Sequence, residues 1–293
     1  MEAGAIELDG LDGGCALTAT LESGQSYLWT RSDGLMYQAP PTEQTWYELA
    51  HEAGFLRVRR RAGRLEWEGT GDPKRVLMDR LRLDDDLPSI YAEFPEDPML
   101  QAAINYVPGM RLVRDPPFAC LISFICSAQM RVERIYGMQR ALTETYGTIV
   151  PGTDAKAFPT PEALAQTTEA DLRALGLGYR APYVRETAAM VADGTDPTTA
   201  ADMPYEDARS YLTQFTGVGE KVADCVLLFS LDHLEAVPLD TWIRKSIERV
   251  YPACARDSYP ATSKAIRTQF GGTYAGYAQT YLFHYLRTSE DPW

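Results

Sequence analysis

One lysine, Lys221, follows Gly217-Val218-Gly219-Glu220, and an aspartate, Asp240, stands 19 positions later behind Pro238 and Leu239. The pair is chemically complementary. An amine attacks an electron-poor carbon, and a carboxylate stabilises the cation that develops when a bond to that carbon breaks. Apolar surroundings and a nearby helix N-terminus disfavour an ammonium, which leaves the free amine that attack requires. The two glycines allow positive φ and close approach of the backbone to a ligand, and the helix start behind them offers unpaired N–H groups at its positive end. That is an anion site without a basic side chain, suited to a DNA phosphate. Taken singly, a Gly-x-Gly is more often an ordinary turn between helices, a lysine a solvated charge and an aspartate a helix cap. The combination at this spacing is far more specific than its parts.

The elements that must position these groups follow from periodicity. Apolar residues recur at helical spacing from Tyr205 to Phe215 and from Val222 to Leu231, so the glycines join two helices in a helix-hairpin-helix at about 205–231. Asp240, before Thr241-Trp242-Ile243-Arg244, is placed as the N-cap of a further helix reaching Val250. Helical spacing also runs from Phe118 to Tyr146, Pro161 to Leu175, Ala181 to Ala192 and Tyr274 to Leu286. Upstream the pattern is different. Ala16 to Leu21, Tyr27 to Thr30, Leu35 to Gln38, Thr45 to Ala50, Phe55 to Arg60 and Arg64 to Glu68 read as short strands of an antiparallel meander. An acidic, proline-bearing stretch, Asp84-Asp85-Asp86 to Phe94-Pro95-Glu96-Asp97-Pro98, marks a boundary. The expected class is α+β, with an antiparallel sheet domain over 1–97 and a mainly helical domain over 98–293.

Composition sets limits on partners. The 293 residues are 45% hydrophobic, with no apolar run of the roughly 18 residues a membrane span needs. Met1 to Leu8 lacks the basic and apolar parts of a signal peptide, so a cytoplasmic location is expected; no membrane partner and a monomeric state are expected as well. Five cysteines (Cys15, Cys120, Cys126, Cys225, Cys254) at irregular spacings read as reduced, mostly buried thiols rather than a disulfide framework, a zinc site or an iron-sulfur cluster. The net charge of -13 opposes a generic basic DNA-binding surface. Its distribution is uneven, however: residues 1–100 carry 19 acids and 10 bases, residues 101–293 carry 22 and 18. With five Lys against 23 Arg, the acid-rich composition is similar to that of proteins from salt-loving organisms.

Four further stretches, with the hairpin, Lys221 and Asp240, resemble the helix-hairpin-helix glycosylase superfamily and within it the 8-oxoguanine DNA glycosylases of the eukaryotic type. Ser23-Gly24-Gln25-Ser26-Tyr27-Leu28-Trp29 is similar to the family's Ser-Gly-Gln-Ser-Phe-Arg-Trp, which implies that the Gly24 carbonyl accepts the N7 hydrogen that oxidised guanine has and guanine lacks. Asp115-Pro116 and Phe124-Ile125-Cys126-Ser127 resemble the family segment that precedes an asparagine run, but Ala128-Gln129-Met130-Arg131 stands where that run belongs. Gln129 takes the place of the asparagine that fills the space left by the extruded base, and Arg134 that of an arginine reading the opposite cytosine. Leu175-Gly176-Leu177-Gly178-Tyr179-Arg180-Ala181 matches closely, implying Tyr179 as a wedge and Arg180 as the second cytosine reader. In Tyr274 to Phe283, Gln279 and Phe283 lie four apart on one helical face, implying an amide at the base edge and a ring stacked on it.

Cys225, four after Lys221, matches the residue on the other face of the flipped base, and Trp242 replaces a histidine at a phosphate contact. The resemblance implies attack of Lys221 on C1′ of the damaged nucleotide. Asp240 would stabilise the oxocarbenium-like sugar, and a Schiff base would permit β-elimination of the 3′ phosphate. Double-stranded DNA containing oxidised guanine is the implied partner. No cofactor and no metal are required, although hairpins of this kind hold a monovalent cation on backbone carbonyls, here those of Thr213, Phe215 and Val218. Two rival readings differ by residue. An alkylated-base glycosylase of the same fold typically lacks the lysine, and a non-enzymatic helix-hairpin-helix DNA-binding module gives no reason for Lys221 with Asp240.

Overall fold

The structure, a computed structural model, describes residues 1–293. A five-stranded antiparallel sheet occupies the N-terminal part: β1 (Glu2–Glu7), β2 (Thr30–Arg31), β3 (Tyr47–His51), β4 (Gly54–Arg61) and β5 (Arg64–Gly69), in the order β1-β5-β4-β3-β2. Period-2 alternation sets its two faces. Leu56, Val58, Leu65 and Trp67 are buried, while Arg57 and Arg59 point outward to Glu68 and Glu66 and flank the Trp46 ring at 4.7 and 4.3 Å. The strands expected in 45–68 are present. β1 lies outside every expected strand, because its exposed Glu2-Ala3-Gly4-Ala5 carries little apolar signal.

The expected strand at Ala16 to Leu21 is instead the helix α1 (Leu17–Glu22). Its alternating Leu-Thr-Ala-Thr-Leu is not a sheet face. Leu17 and Leu21 enter the core behind the sheet, and Ala19 enters the helical core, so the segment is buried on opposite sides between two cores. Residues 27–29 are irregular and 36–38 a turn rather than strands, with only Thr30 of the first segment paired, to Glu48.

Helices make up the remainder: α2 (Pro73–Arg80), α3 (Leu87–Ala92), α4 (Pro98–Tyr106), α5 (Pro117–Ile125), α6 (Val132–Tyr146), α7 (Pro161–Ala165), α8 (Glu169–Ala174), α9 (Ala181–Ala192), α10 (Tyr205–Leu212), α11 (Glu220–Ser230), α12 (Thr241–Arg249), α13 (Tyr259–Gln269) and α14 (Ala275–Thr288). A two-stranded ribbon, β6 (Thr148–Ile149) with β7 (Lys156–Ala157), follows α6. The single helix expected from Phe118 to Tyr146 is broken at 126–131, and that from Pro161 to Leu175 between α7 and α8. None of the helices is long and apolar enough to cross a membrane.

Three apolar cores organise the chain. One lies behind the sheet; the largest is built around α5, α9, α10 and α11; the third joins Leu100 of α4 to α12, α13 and α14. Lys221 at the start of α11, Asp240 at the start of α12 and the pocket face of α14 meet where these cores adjoin.

Candidate active site

The hairpin joins α10 to α11 through a turn whose geometry depends on one of its two glycines. Gly217 has φ +82, and a Cβ there would meet Cβ and Cγ of Tyr183 at 2.7 Å. Thr187, one turn further along α9, donates to the Thr216 carbonyl at 2.8 Å and pins the turn from the same side. Gly219 does not use the positive φ open to it: it is extended, φ −94 and ψ 178, and is the N-cap of α11 with open space at its Cβ. What its missing side chain provides is access. The N–H groups of Gly219, Glu220 and Lys221 donate to nothing within the chain, as an anion site requires. Val218 is different, because its N–H donates to the Phe215 carbonyl at 3.1 Å and is therefore not available to a phosphate. The carbonyls of Thr213 and Val218 accept no hydrogen bond within the chain, and that of Phe215 accepts the one from Val218.

Lys221, in the first turn of α11, points from the hairpin into a cavity of about 60 Å³. Its Nζ donates to Ser127 Oγ at 3.1 Å and lies 5.2 Å from the centre of the Phe124 ring. Ser127 itself donates to the Phe124 carbonyl at 2.7 Å, so its hydroxyl presents a lone pair to the amine. Asp240 lines the same cavity and caps α12, accepting from the Ile243 N–H at 2.8 Å. Burial raises its carboxyl above the ordinary range, opposed by the Ile243 N–H and the charge of Lys221. Cys225, one turn beyond Lys221, is 2% exposed, and burial pushes its thiol up to about 11, so it is a neutral, apolar wall and not a second nucleophile.

The rest of the wall comes from distant parts of the chain. Gly24 contributes from the N-terminal part, with φ +95 and Val132 at 3.2 Å from any added Cβ. Its carbonyl accepts no hydrogen bond within the chain. The neighbouring Gln25 fixes it: Nε2 donates to the Arg111 carbonyl at 3.0 Å and Oε1 accepts from the Val113 N–H at 3.1 Å, so the loop is tied to the 111–113 segment. Gln279 and Phe283 reach the cavity from α14. Thr280 Oγ1 donates to the Gly276 carbonyl at 2.8 Å and lies 3.3 Å from Gln279 Oε1, and Arg287 lies 5.5 Å from the Phe283 ring. A floor of two stacked rings, Phe124 and Phe229 at 5.6 Å, completes it. The space holds a few water molecules, less than a purine needs, so a base enters only when the mouth widens. Phe283 is half-buried in this lining.

The remaining expected contacts form a separate group. Gln129 is exposed in the break between α5 and α6 at φ +55, a backbone conformation that costs a side-chain-bearing residue energy. Arg134 is exposed and lies against Gly176, while Tyr179 is 54% exposed and edge-on to Tyr183 at 6.3 Å. Arg180 is not presented like Arg134. It is 2% exposed, donates to the Ala128 carbonyl and holds the turn on which Gln129 rides. Trp242 is half-buried in the first turn of α12, with Lys245 Nζ 4.9 Å from its ring.

Sequence reasoning assigned no role to Ser127, Gln25, Phe124, Phe229, Ser23, Pro238 or Thr280, all of which line the cavity or hold what lines it. Ser127 lies 94 residues from Lys221, and nothing local to either residue signals the contact.

Comparison with known proteins agrees with this geometry. Residues 122–270 match the family described as HhH-GPD superfamily base excision DNA repair protein, and residues 12–121 match the 8-oxoguanine DNA glycosylase N-terminal domain. A probable N-glycosylase/DNA lyase of Methanothermobacter thermautotrophicus is 32% identical over 83% of this chain and 82% of its own. The N-glycosylase/DNA lyase of Saccharomyces cerevisiae is also 32% identical, over 91% of this chain and 82% of its own. Among solved structures, the Clostridium acetobutylicum 8-oxoguanine glycosylase/lyase, in complex with double-stranded DNA containing cytosine opposite 8-oxoG, superposes with a TM-score of 0.82 at 28% identity, covering 94% of this chain and 93% of that one. The chain belongs to the HhH-GPD superfamily of base excision DNA repair proteins, as an 8-oxoguanine DNA glycosylase of that superfamily.

Proposed function

We propose that this protein extrudes 8-oxoguanine from duplex DNA and excises it through a Schiff base on Lys221, with β-elimination of the 3′ phosphate to follow. The observation that carries this reading is one cavity lined by an amine, Lys221, a carboxylate, Asp240, and the three elements suited to an oxidised purine: the Gly24 carbonyl, the Gln279 amide and the Phe283 ring. Lys221 Nζ attacks C1′ as the base leaves with the bonding electron pair. Asp240 faces the positive charge that grows on the sugar. Cys225 and Phe283 supply apolar surface for the two faces of the base, and the free Gly24 carbonyl rewards the hydrogen on N7. The unpartnered amides at the start of α11 take a phosphate, Arg134, Gln129 and Tyr179 the opposite strand and the gap, and Arg180 holds the Gln129 turn.

The test is base release from duplexes that each carry one modified base. 8-Oxoguanine is released under single-turnover conditions, and 3-methyladenine and uracil are poor substrates; equal or faster release of the alkylated base overturns the reading. In the same assay Gln279→Ala and Phe283→Ala each lower the 8-oxoguanine rate or its preference over guanine by about 1 to 3 kcal/mol, the value of one edge hydrogen bond or one stacked base.

Charge leads to a second expected result. At about 1 M salt the Debye length is roughly 3 Å, so repulsion between an acidic surface and DNA is screened while amide, arginine and stacking contacts persist. The net charge of -13 and the side-chain-free anion site therefore imply few displaced counterions. The slope of log affinity against log salt, measured with Lys221→Gln on an 8-oxoguanine duplex, is shallow. A slope near that of 6 to 10 phosphate contacts contradicts this account of the charge.

A further inference from the structure

Asp224 lies three residues after Lys221 on α11, fully buried, and has no part in the chemistry described above. Its carboxylate accepts hydrogen bonds from Tyr205 of α10 at 2.6 Å and from Tyr259 of α13 at 2.8 Å, with Arg209 at 4.0 Å. Tyr259 uses its phenol twice. It donates to Asp224 and accepts the Leu239 N–H at 3.1 Å. Leu239 is the residue before Asp240, and its carbonyl accepts from Arg244 Nε at 3.1 Å, the Arg244 guanidinium lying 5.7 Å from the Tyr259 ring. Both polar groups of the Leu239 backbone are thus held, one of them by a row of hydrogen bonds that begins on the helix of Lys221.

We propose that Asp224 and Tyr259 are positioning residues, a hydrogen-bonded strut between α11 and the Leu239 peptide that sets the separation and angle of the Lys221 amine and the Asp240 carboxylate. This rests on the assignment of those two groups to base excision. Burying a carboxylate is unfavourable, and here burial pushes Asp224 up to about 7 in spite of the phenols and Arg209. Apolar side chains would hold α11 against α13 at least as firmly. They would not aim the Leu239 N–H, whereas a directional row does so, and reacting groups displaced by about 1 Å lose up to about a hundredfold in rate. The site needs such a device because Lys221 and Asp240 make no direct ion pair: Nζ is hydrogen-bonded to Ser127 and Oδ1 to Ile243.

Tyr259→Phe removes one hydroxyl and keeps the ring. The expected result is a fall of about tenfold in single-turnover excision of 8-oxoguanine, with affinity for a duplex bearing a tetrahydrofuran abasic analogue unchanged within about twofold. In an Asp240→Asn background the same change has no further effect on rate, because the group it positions no longer acts. In the free protein the Leu239 amide exchanges with solvent about tenfold faster in Tyr259→Phe. Wild-type excision by the variant, equal slowing in both backgrounds or unchanged Leu239 exchange each overturns the strut. A wild type that releases no 8-oxoguanine overturns the assigned activity instead, and amide exchange still decides the strut. If Tyr259→Phe does not fold, Asp224→Asn, which keeps volume and one acceptor, gives the same readings.

Discussion

Lys221→Ala leaves no covalent protein–DNA adduct when borohydride is added during reaction with an 8-oxoguanine duplex, whereas the wild type is trapped in high yield. An amine nucleophile passes through a reducible imine; an enzyme that activates water does not. The Lys221 amine stands on the first turn of α11, hydrogen-bonded to Ser127 and in the same cavity as Asp240. Base release falls by about 10⁴-fold or more, the scale seen when a covalent nucleophile is deleted from an enzyme. Duplex affinity is little changed, since the anion site is made of backbone amides. A wild type that releases the base without leaving an adduct would show that water, not Lys221, is the nucleophile.

Asp240→Asn binds the duplex normally and loses base excision by about 10³-fold, close to 4 kcal/mol of transition-state stabilisation. The carboxylate's charge is worth most when the sugar becomes cationic, so the loss falls on the chemical step and not on affinity. Asparagine can still accept from the Ile243 N–H, which preserves the cap on α12 and isolates the effect of charge. A near-normal single-turnover rate for this variant would reduce Asp240 to a helix cap. The direction of its pKa adds a pH dependence. Burial raises the carboxyl, so the active, ionised form is lost on acidification at a higher pH than for an ordinary aspartate. The acid limb of the wild-type excision profile accordingly lies higher than for an ordinary aspartate and is absent from the asparagine variant.

Local order along the chain determined much of this protein. Lys221, the hairpin and Asp240 lie within 24 residues of one another and are tied to helix starts, which glycine, proline and cap chemistry mark in any context. Strands β3, β4 and β5 were legible because one face is apolar and the other charged, as were α9, α12 and α14 from their periodicity. The motif stretches around Gly24 and Gln279 were legible too, by resemblance to a known family. The resemblance implied that they surround one base with Lys221, and the folded chain brings them to one cavity.

Three outcomes belonged to the tertiary structure alone. α1 looked like a strand because alternation in six residues cannot distinguish two faces of a sheet from two cores on either side of a helix. Gly219 is extended and Val218 is already hydrogen-bonded, so which hairpin amides remain free depends on the path of the turn, which packing on Tyr183 and Thr187 sets. Ser127 beneath Lys221, Arg180 beneath Gln129 and the row from Asp224 through Tyr259 to Leu239 join residues tens of positions apart. Such polar contacts leave no periodic trace. They form only after burial of apolar faces has brought the helices together, and direction and desolvation then select the partner of each buried polar group.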